Sequence, residues 1–323
     1  MPQIGSTVEV NPARGIVPDQ WRGGVRQSAL VLGAAQIGGY AGADAPVGPT
    51  EALLRTAAEL GITHIDTARA YGASERRLGA ALPALPPRTF EVMTKVVPLP
   101  PGTSAADAAA AVDASVARSL AELGVDRATV LLPRAEDALA ADGAAWERLR
   151  YLRDRGVASR IGVTIRQPDE LPAVLRLPGL EHVQLPCNIL DQRWLAPALT
   201  GALLDRPELV VTVRSVFLQG LLAAGRAVRW PRLADAERDR VVSTLDGLAA
   251  ELGRSGRDEL CLAYVRALPW VTSVVIGAES ADQLRQHAGL VAGAPLTTGE
   301  RARVQSAVPA VPAELLDPCR WRG

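Results

Sequence analysis

Eight short apolar runs, each followed by a longer stretch of helical character, constrain this chain more than any other feature. The runs are ALVL (29–32), ITHID (62–66), FEVMTKV (90–96), ATVLL (128–132), SRIGV (159–163), HVQL (182–185), LVVTV (209–213) and TSVVI (272–276). Between them Leu, Val and Ala recur at helical spacing, as in PTEALLRTAAEL (49–60), SAADAAAAVDASVARSLAEL (104–123), GAAWERLRYLRDRG (143–156) and RDELCLAYVRAL (257–268). Several of these stretches open on Ser, Thr or Asp caps, and glycine stops follow at Gly61, Gly124 and Gly156. Strands that are apolar throughout need cover on both faces. A β/α unit repeated eight times therefore predicts the α/β class and a parallel sheet closed into a (β/α)₈ TIM barrel, with an open doubly wound sheet as the alternative.

Residues 1–26 are rich in Gly, Pro and Arg without periodicity and predict an irregular N-terminal arm. Residues 27–323 then make a single barrel domain, with an insertion at about 219–256 and a C-terminal tail. A chain of 323 residues can bury a large core without staples. Its 35 basic and 35 acidic residues cancel, so charge gives no reason to expect nucleic acid or an anionic membrane surface. Three scattered cysteines, Cys187, Cys261 and Cys319, argue against a disulfide framework or a metal site and fit a reducing compartment. With no apolar run of membrane-spanning length and no signal-peptide core, the expected location is the cytoplasm, and the expected partner is a small molecule. The oligomeric state is not legible.

In a parallel barrel, chemistry collects where the strands run out. Those ends carry Gln36, then Asp66 and Tyr71, Lys95, Thr164, Gln184 and Asn188, and Arg214 with Ser215. An isolated lysine at a strand end is usually a solvated charge. Lys95 is not isolated, because Asp66 closes the preceding strand and Tyr71 follows it across a turn. An ammonium beside a phenol makes the phenol a better acid, and a carboxylate keeps that ammonium charged and in place. Asp, Lys and Tyr together thus build a general acid for a developing alkoxide.

From Ala29 to Gly289 the chain resembles the aldo-keto reductase superfamily, through LGAAQIGG, IDTARAYGASERRLG, MTKV, IGVTIRQPDEL, HVQLPCNILDQR, RSVFLQGLL and VVIGAESADQL, in that order. The resemblance implies a barrel that binds NADPH or NADH without a dinucleotide-binding fold and transfers hydride to a carbonyl. By matched position Tyr71 is the proton donor, and Lys95 and Asp66 are its partners. The resemblance breaks after the fourth run, where the family's catalytic His is replaced by Pro133 in LLPRAED. Proline has no side-chain donor, and loss of one donor to an oxyanion costs on the order of 10²- to 10³-fold in rate. Three readings follow: a reductase of a carbonyl, iminium or conjugated enone in a specialised small molecule; a redox-neutral enzyme that retains its cofactor; and a nucleotide-binding pseudoenzyme.

Thr164, Gln184 and Asn188 match positions that hold the nicotinamide carboxamide, and Arg214 takes the place of a stacking tyrosine. Ser215, Phe217, Leu218, Gln219 and Gly220 match the loop beneath the pyrophosphate. Gly277, Ala278, Glu279, Ser280, Gln283 and His287 match the adenosine end, where Ser280 would open a helix whose N-terminus attracts phosphate. The family leans to NADP. Glu279 and Gln283 replace the usual cations and admit NAD, with Arg285 the nearby cation that would restore NADP. Tyr40, Pro133, Trp194 and Trp230 are the candidates to line the substrate pocket, although each tryptophan is also a credible packing residue.

Overall fold

The computed structural model describes residues 16–39 and 47–321. Ten strands are present among them: β1 (Asp19–Arg22), β2 (Val25–Ser28), β3 (Leu30–Gly33), β4 (His64–Asp66), β5 (Glu91–Lys95), β6 (Ala128–Leu132), β7 (Ala158–Thr164), β8 (His182–Pro186), β9 (Val210–Arg214) and β10 (Ser273–Gly277). β3 to β10 are parallel and close into one barrel, β10 pairing with β3 from Val274↔Leu30 to Gly277↔Gly33. Each of these eight strands falls on one of the eight apolar runs, and helices connect them. The fold is the (β/α)₈ barrel, because strands buried on both faces admit no solvated side.

The helices start and stop for local reasons. Helix Ala105–Leu123 begins at Ser104, whose side chain accepts from the Asp107 N–H, and ends at Gly124 in the left-handed region (φ 65°). Its buried stripe, Ala108, Val112, Ser115, Val116, Ser119 and Leu123, turns an alanine-rich segment into one wall of the core. Between β9 and helix Arg257–Arg266 the chain adds a short helix, Leu221–Ala224, and a long one, Asp235–Glu251. The long helix packs against Arg257–Arg266, which itself packs on β10.

The expectation of an irregular arm is corrected for its last residues. β1 and β2 pair antiparallel from Asp19↔Ser28 to Arg22↔Val25, joined by Gly23 and Gly24 with φ of 54° and 71°. That is the two-residue hairpin turn that only positive-φ residues make well. Arg22 donates to the carbonyls of Pro269 at 2.8 Å and Pro207 at 3.5 Å, just before β10 and β9. The hairpin is therefore fastened to the N-terminal end of the barrel, opposite the end where the strands run out. Residues 1–15 lie outside the described residues.

Side chains alternate along a strand, so residues two apart share a face. Asp66 on β4 and Gln184 on β8 bond to each other across the barrel, which places His64 and His182 one layer deeper. His182 Nε2 lies 2.9 Å from Thr212 Oγ1, and His64 Nδ1 lies 2.8 Å from Thr63 Oγ1. Burial, with Arg160 as a lesser cause, pushes the His64 imidazole down to about 4, and the same two causes lead in lowering His182. This barrel carries polar side chains inside its lower layers as well as at its mouth.

Candidate active site

At the C-terminal mouth Lys95 Nζ donates to Asp66 Oδ1 at 2.6 Å and to the Thr67 carbonyl at 3.1 Å. Asp66 Oδ1 also accepts from Gln184 Nε2 at 2.9 Å. Both partners of the ion pair are buried, with side-chain exposures of 6% and 5%. Burial works against the ammonium, but the Asp66 carboxylate and then Tyr71 outweigh it, and Lys95 is held above the ordinary lysine range. The ammonium lies 5.3 Å from the centroid of the Tyr71 ring. The three residues expected to converge do so.

Tyr71 is placed by its loop. The Tyr71 N–H donates to the Ala68 carbonyl at 3.0 Å, and the Arg69 N–H to the Lys95 carbonyl at 3.2 Å. Ser74 Oγ donates to the Ala34 carbonyl and accepts from Thr67 Oγ1, both at 2.8 Å. Arg69 pairs with Glu75 and with Glu122, the latter at 2.8 Å, while Thr94 Oγ1 donates to Glu75 Oε1 at 2.6 Å. Gly38 passes so close that a Cβ there would fall on the Tyr71 carbonyl, and Ala73 donates to the Gly38 carbonyl at 3.1 Å. Arg69, Ser74 and Glu75 were not singled out by sequence reasoning. The available signal was a charged pair six residues apart flanking the tyrosine.

Pro133 is half-buried directly after β6. The adjacent arginine does not replace an imidazole donor, because it is committed elsewhere. Arg134 Nε donates to Asp137 Oδ2 at 2.9 Å and its Nη2 to the Leu99 carbonyl at 2.7 Å, while Asp137 Oδ1 accepts the Leu99 N–H at 3.0 Å. The β5 and β6 loops are thereby stapled together.

Thr164 and Gln184 sit in direct register on β7 and β8. Thr164 Oγ1 and Gln184 Oε1 are buried and have no hydrogen-bond partner among the described residues. Buried polar atoms left this way are costly unless a ligand satisfies them, and a hydroxyl beside an amide oxygen fits a carboxamide with its own N–H and C=O. The residues present therefore fit a nicotinamide. Asn188 accepts the Leu190 N–H on its side-chain oxygen at 3.0 Å, which fixes the orientation of its amide.

The loop after β9 is backbone-strained. Ser215, Leu218 and Gln219 have φ of 61°, 48° and 55°, and Gly220 follows at 86°. Backbone amides in such a turn can point to one side and form an anion-binding concavity. Phe217 in this loop and His287 on helix Ala281–Ala292 approach with ring centroids 5.9 Å apart. His287 Nδ1 has no hydrogen-bond partner among the described residues, and burial lowers its imidazole below the ordinary range. Ser280 caps this helix by accepting the Gln283 N–H, and Gln283 Oε1 accepts the Glu279 N–H at 2.7 Å. Glu279 is exposed at the helix start, and the Gln36 carboxamide lies against Gly277. A cleft of 640 Å³ opens alongside, lined by Arg257, Asp258, Arg285, Gln286 and His287; none of Asp66, Tyr71 and Lys95 lines it.

Two substrate expectations are corrected. Trp194 and Trp230 are 0% and 1% exposed, and the Trp230 indole donates to the Gly225 carbonyl at 3.0 Å. Both fill the core, since a side chain with no accessible surface cannot meet a ligand. Tyr40 lies outside the described residues. Among the described residues no cluster of His, Cys, Asp and Glu is arranged to hold a metal ion, and no helix is long and apolar enough to cross a membrane.

An eight-stranded parallel barrel with a buried Asp–Lys pair against a tyrosine at its C-terminal mouth has the architecture of a barrel enzyme. The sequence matches the model of the Aldo/keto reductase family over residues 29–309, and the chain belongs to that family. It is accordingly an NAD(P)H-dependent oxidoreductase. Among solved structures, the holo form of an aldo-keto reductase from Bacillus halodurans is similar at a TM-score of 0.75 and 23% identity, with 91% of this chain and 97% of that chain covered. The glycerol dehydrogenase from Gluconobacter oxydans is similar at a TM-score of 0.74 and 21% identity, with coverage of 91% and 98%. These likenesses show the fold. No curated protein matches the sequence.

Proposed function

We propose that the enzyme reduces the carbonyl, iminium or conjugated enone of a specialised small molecule, with Tyr71 as the proton donor. The observation that carries this reading is the buried Lys95–Asp66 pair whose ammonium lies 5.3 Å from the Tyr71 ring. Bound nicotinamide supplies the hydride. Thr164 and Gln184 orient its carboxamide, the loop from Ser215 to Gly220 cradles the pyrophosphate, and Gly277, Ala278, Glu279, Ser280, Gln283 and His287 form the adenosine end. Lys95 and Asp66 hold the phenol in a field that favours release of its proton. Pro133 favours a second reading, a redox-neutral enzyme or a nucleotide-binding pseudoenzyme, because Arg134 beside it is already bound to Asp137 and Leu99.

Of the two nucleotides, the family preference is NADP, but the side chains here favour NAD. Arg285, the cation nearest the adenosine end in sequence, donates to Asp282 at 3.0 Å and to Thr56 at 3.3 Å, and Glu279 presents a carboxylate that repels a 2′-phosphate. Titration calorimetry with NADH and NADPH, followed by an oxidation screen over aldehydes, ketones, enones and imines, tests the whole reading. NADH is expected to bind more tightly, and Glu279→Arg is expected to shift the ratio toward NADPH by about tenfold or more. Absence of binding by either nucleotide at millimolar concentration sinks the oxidoreductase reading. Tight binding with no oxidation by any compound favours the pseudoenzyme.

A further inference from the structure

Tyr71 and the ammonium that faces it belong to different β/α units, since Tyr71 lies in the loop after β4 and Lys95 closes β5. Their separation depends on what ties that loop to that strand. Neighbouring side chains of a strand point to opposite faces, so with Lys95 turned into the barrel toward Asp66, Thr94 points to the back of the sheet. There Thr94 Oγ1 donates to Glu75 Oε1 at 2.6 Å. Glu75 stands in the first turn of helix Ser74–Ala81, four residues past the tyrosine, and its Oε2 accepts from Arg69, two residues before the tyrosine. Arg69 and Glu75 therefore close the loop from both sides of Tyr71, and Thr94 fastens the closed loop to the strand of Lys95.

This clamp is buried, with side-chain exposures of 9% for Arg69 and 1% for Glu75. A carboxylate at that depth is costly unless a cation and hydrogen bonds satisfy it. Here each of its oxygens has a partner. Arg69 is also shared with Glu122 at 2.8 Å, near the end of helix Ala105–Leu123, and Glu122 pairs with Arg118 at 3.0 Å. Burial works against the Arg69 guanidinium, but Glu122 and Glu75 outweigh it and hold it above its ordinary range. The loop after β4, strand β5 and the helix after β5 thus meet at one ionic junction behind the sheet.

We infer that Glu75 is a positioning residue for the reaction, holding Tyr71 at its working distance from Lys95 through Arg69 and Thr94. The inference rests on the reading of Tyr71 as proton donor, whereas the clamp itself does not. A reacting group displaced by about 1 Å can cost on the order of 10²-fold in rate, even when the substitution lies far from the chemistry. Pro133 brings no second side-chain donor to the carbonyl oxygen, so more of its orientation falls on the phenol.

The test uses the full chain with reduced nicotinamide nucleotide and para-nitrobenzaldehyde as the carbonyl probe. Glu75→Gln keeps the shape and removes the charge, and it is expected to lower kcat by about 10- to 100-fold while KM and nucleotide affinity stay within about threefold. Thr94→Val is expected to cost less, and the two together little more than Glu75→Gln alone, because both cut the same tie. In the Tyr71→Phe background Glu75→Gln is expected to cost less than about twofold, since the group it positions is gone. Amide hydrogen exchange at residues 69–74 is expected to quicken by about tenfold in Glu75→Gln while that of Glu91–Lys95 is unchanged. Equal losses in the tyrosine and phenylalanine backgrounds, a loss carried by KM, or undisturbed exchange in the loop overturns the assignment. If Glu75→Gln does not fold, Thr94→Val, which removes one bond and no charge, decides by the same comparisons. Turnover with undisturbed loop exchange removes this inference and leaves the reductase reading intact. A parent that binds nucleotide and reduces no carbonyl sinks the reductase reading, while quickened loop exchange in the variants still establishes the clamp.

Discussion

Replacing Tyr71 by phenylalanine is expected to lower kcat by about 10²- to 10⁴-fold, the range that a positioned proton donor contributes, while nucleotide affinity stays within about threefold of the parent. The substitution is clean because the ring remains where the Lys95 ammonium faces it, 5.3 Å from its centroid. The backbone ties of the loop, from the Arg69 N–H to Lys95 and from Ala73 to Gly38, do not involve the hydroxyl. Lys95→Met is a less selective probe. It strips a buried carboxylate of its partner, which costs on the order of 3–5 kcal/mol of stability before any effect on chemistry. Steady-state kinetics beside calorimetry with the reduced nucleotide separates the two effects. Unchanged turnover in the phenylalanine variant would remove Tyr71 from the reaction.

The second large effect is on stability in mild acid. His64 is pushed down from 6.5 to about 4 and His182 is also lowered, by burial first and Arg160 second. Lys95 adds a smaller unfavourable effect on His182, as does His64 itself. An imidazole that stays neutral in the fold but charges at its ordinary value when unfolded makes the unfolded state the better proton binder below about pH 6.5. Stability is thus complete above that pH and is lost as the pH falls toward 4. Between pH 6.5 and 5 His64 is expected to remove about 2 kcal/mol, and His182 acts in the same direction. Urea denaturation at pH 7.5, 6 and 5 reads this directly. His64→Asn combined with His182→Asn is expected to flatten the slope even if it lowers the baseline. A slope that persists in the double variant would place the acid sensitivity in the carboxylates.

The barrel was legible because its strands are continuous apolar runs, a pattern that records burial on both faces residue by residue. Asp66, Tyr71 and Lys95 were legible because they sit within 30 positions of one another on consecutive β/α units. Contacts set by closure were not. Gln184 meets Asp66 across 118 residues, because β4 and β8 stand opposite each other in an eight-membered ring. The β1–β2 hairpin was missed because its alternation is weak, and its Gly23–Gly24 turn reads equally well as an irregular coil. The tryptophans misled for a different reason. An aromatic ring that is fully packed, as Trp194 and Trp230 are, has the same letter as one that receives a ligand.

The bond from Gln184 to Asp66 also gives the mouth of the barrel a handedness of hydrogen bonding. An amide can turn over and exchange its two ends, but here the nitrogen faces a carboxylate paired with Lys95, so the oxygen is the end left without a partner among the described residues. A visiting group that meets this oxygen must donate. The ion pair that serves the phenol therefore also selects, three strands of the ring away from the lysine, which edge of a ligand the barrel will accept.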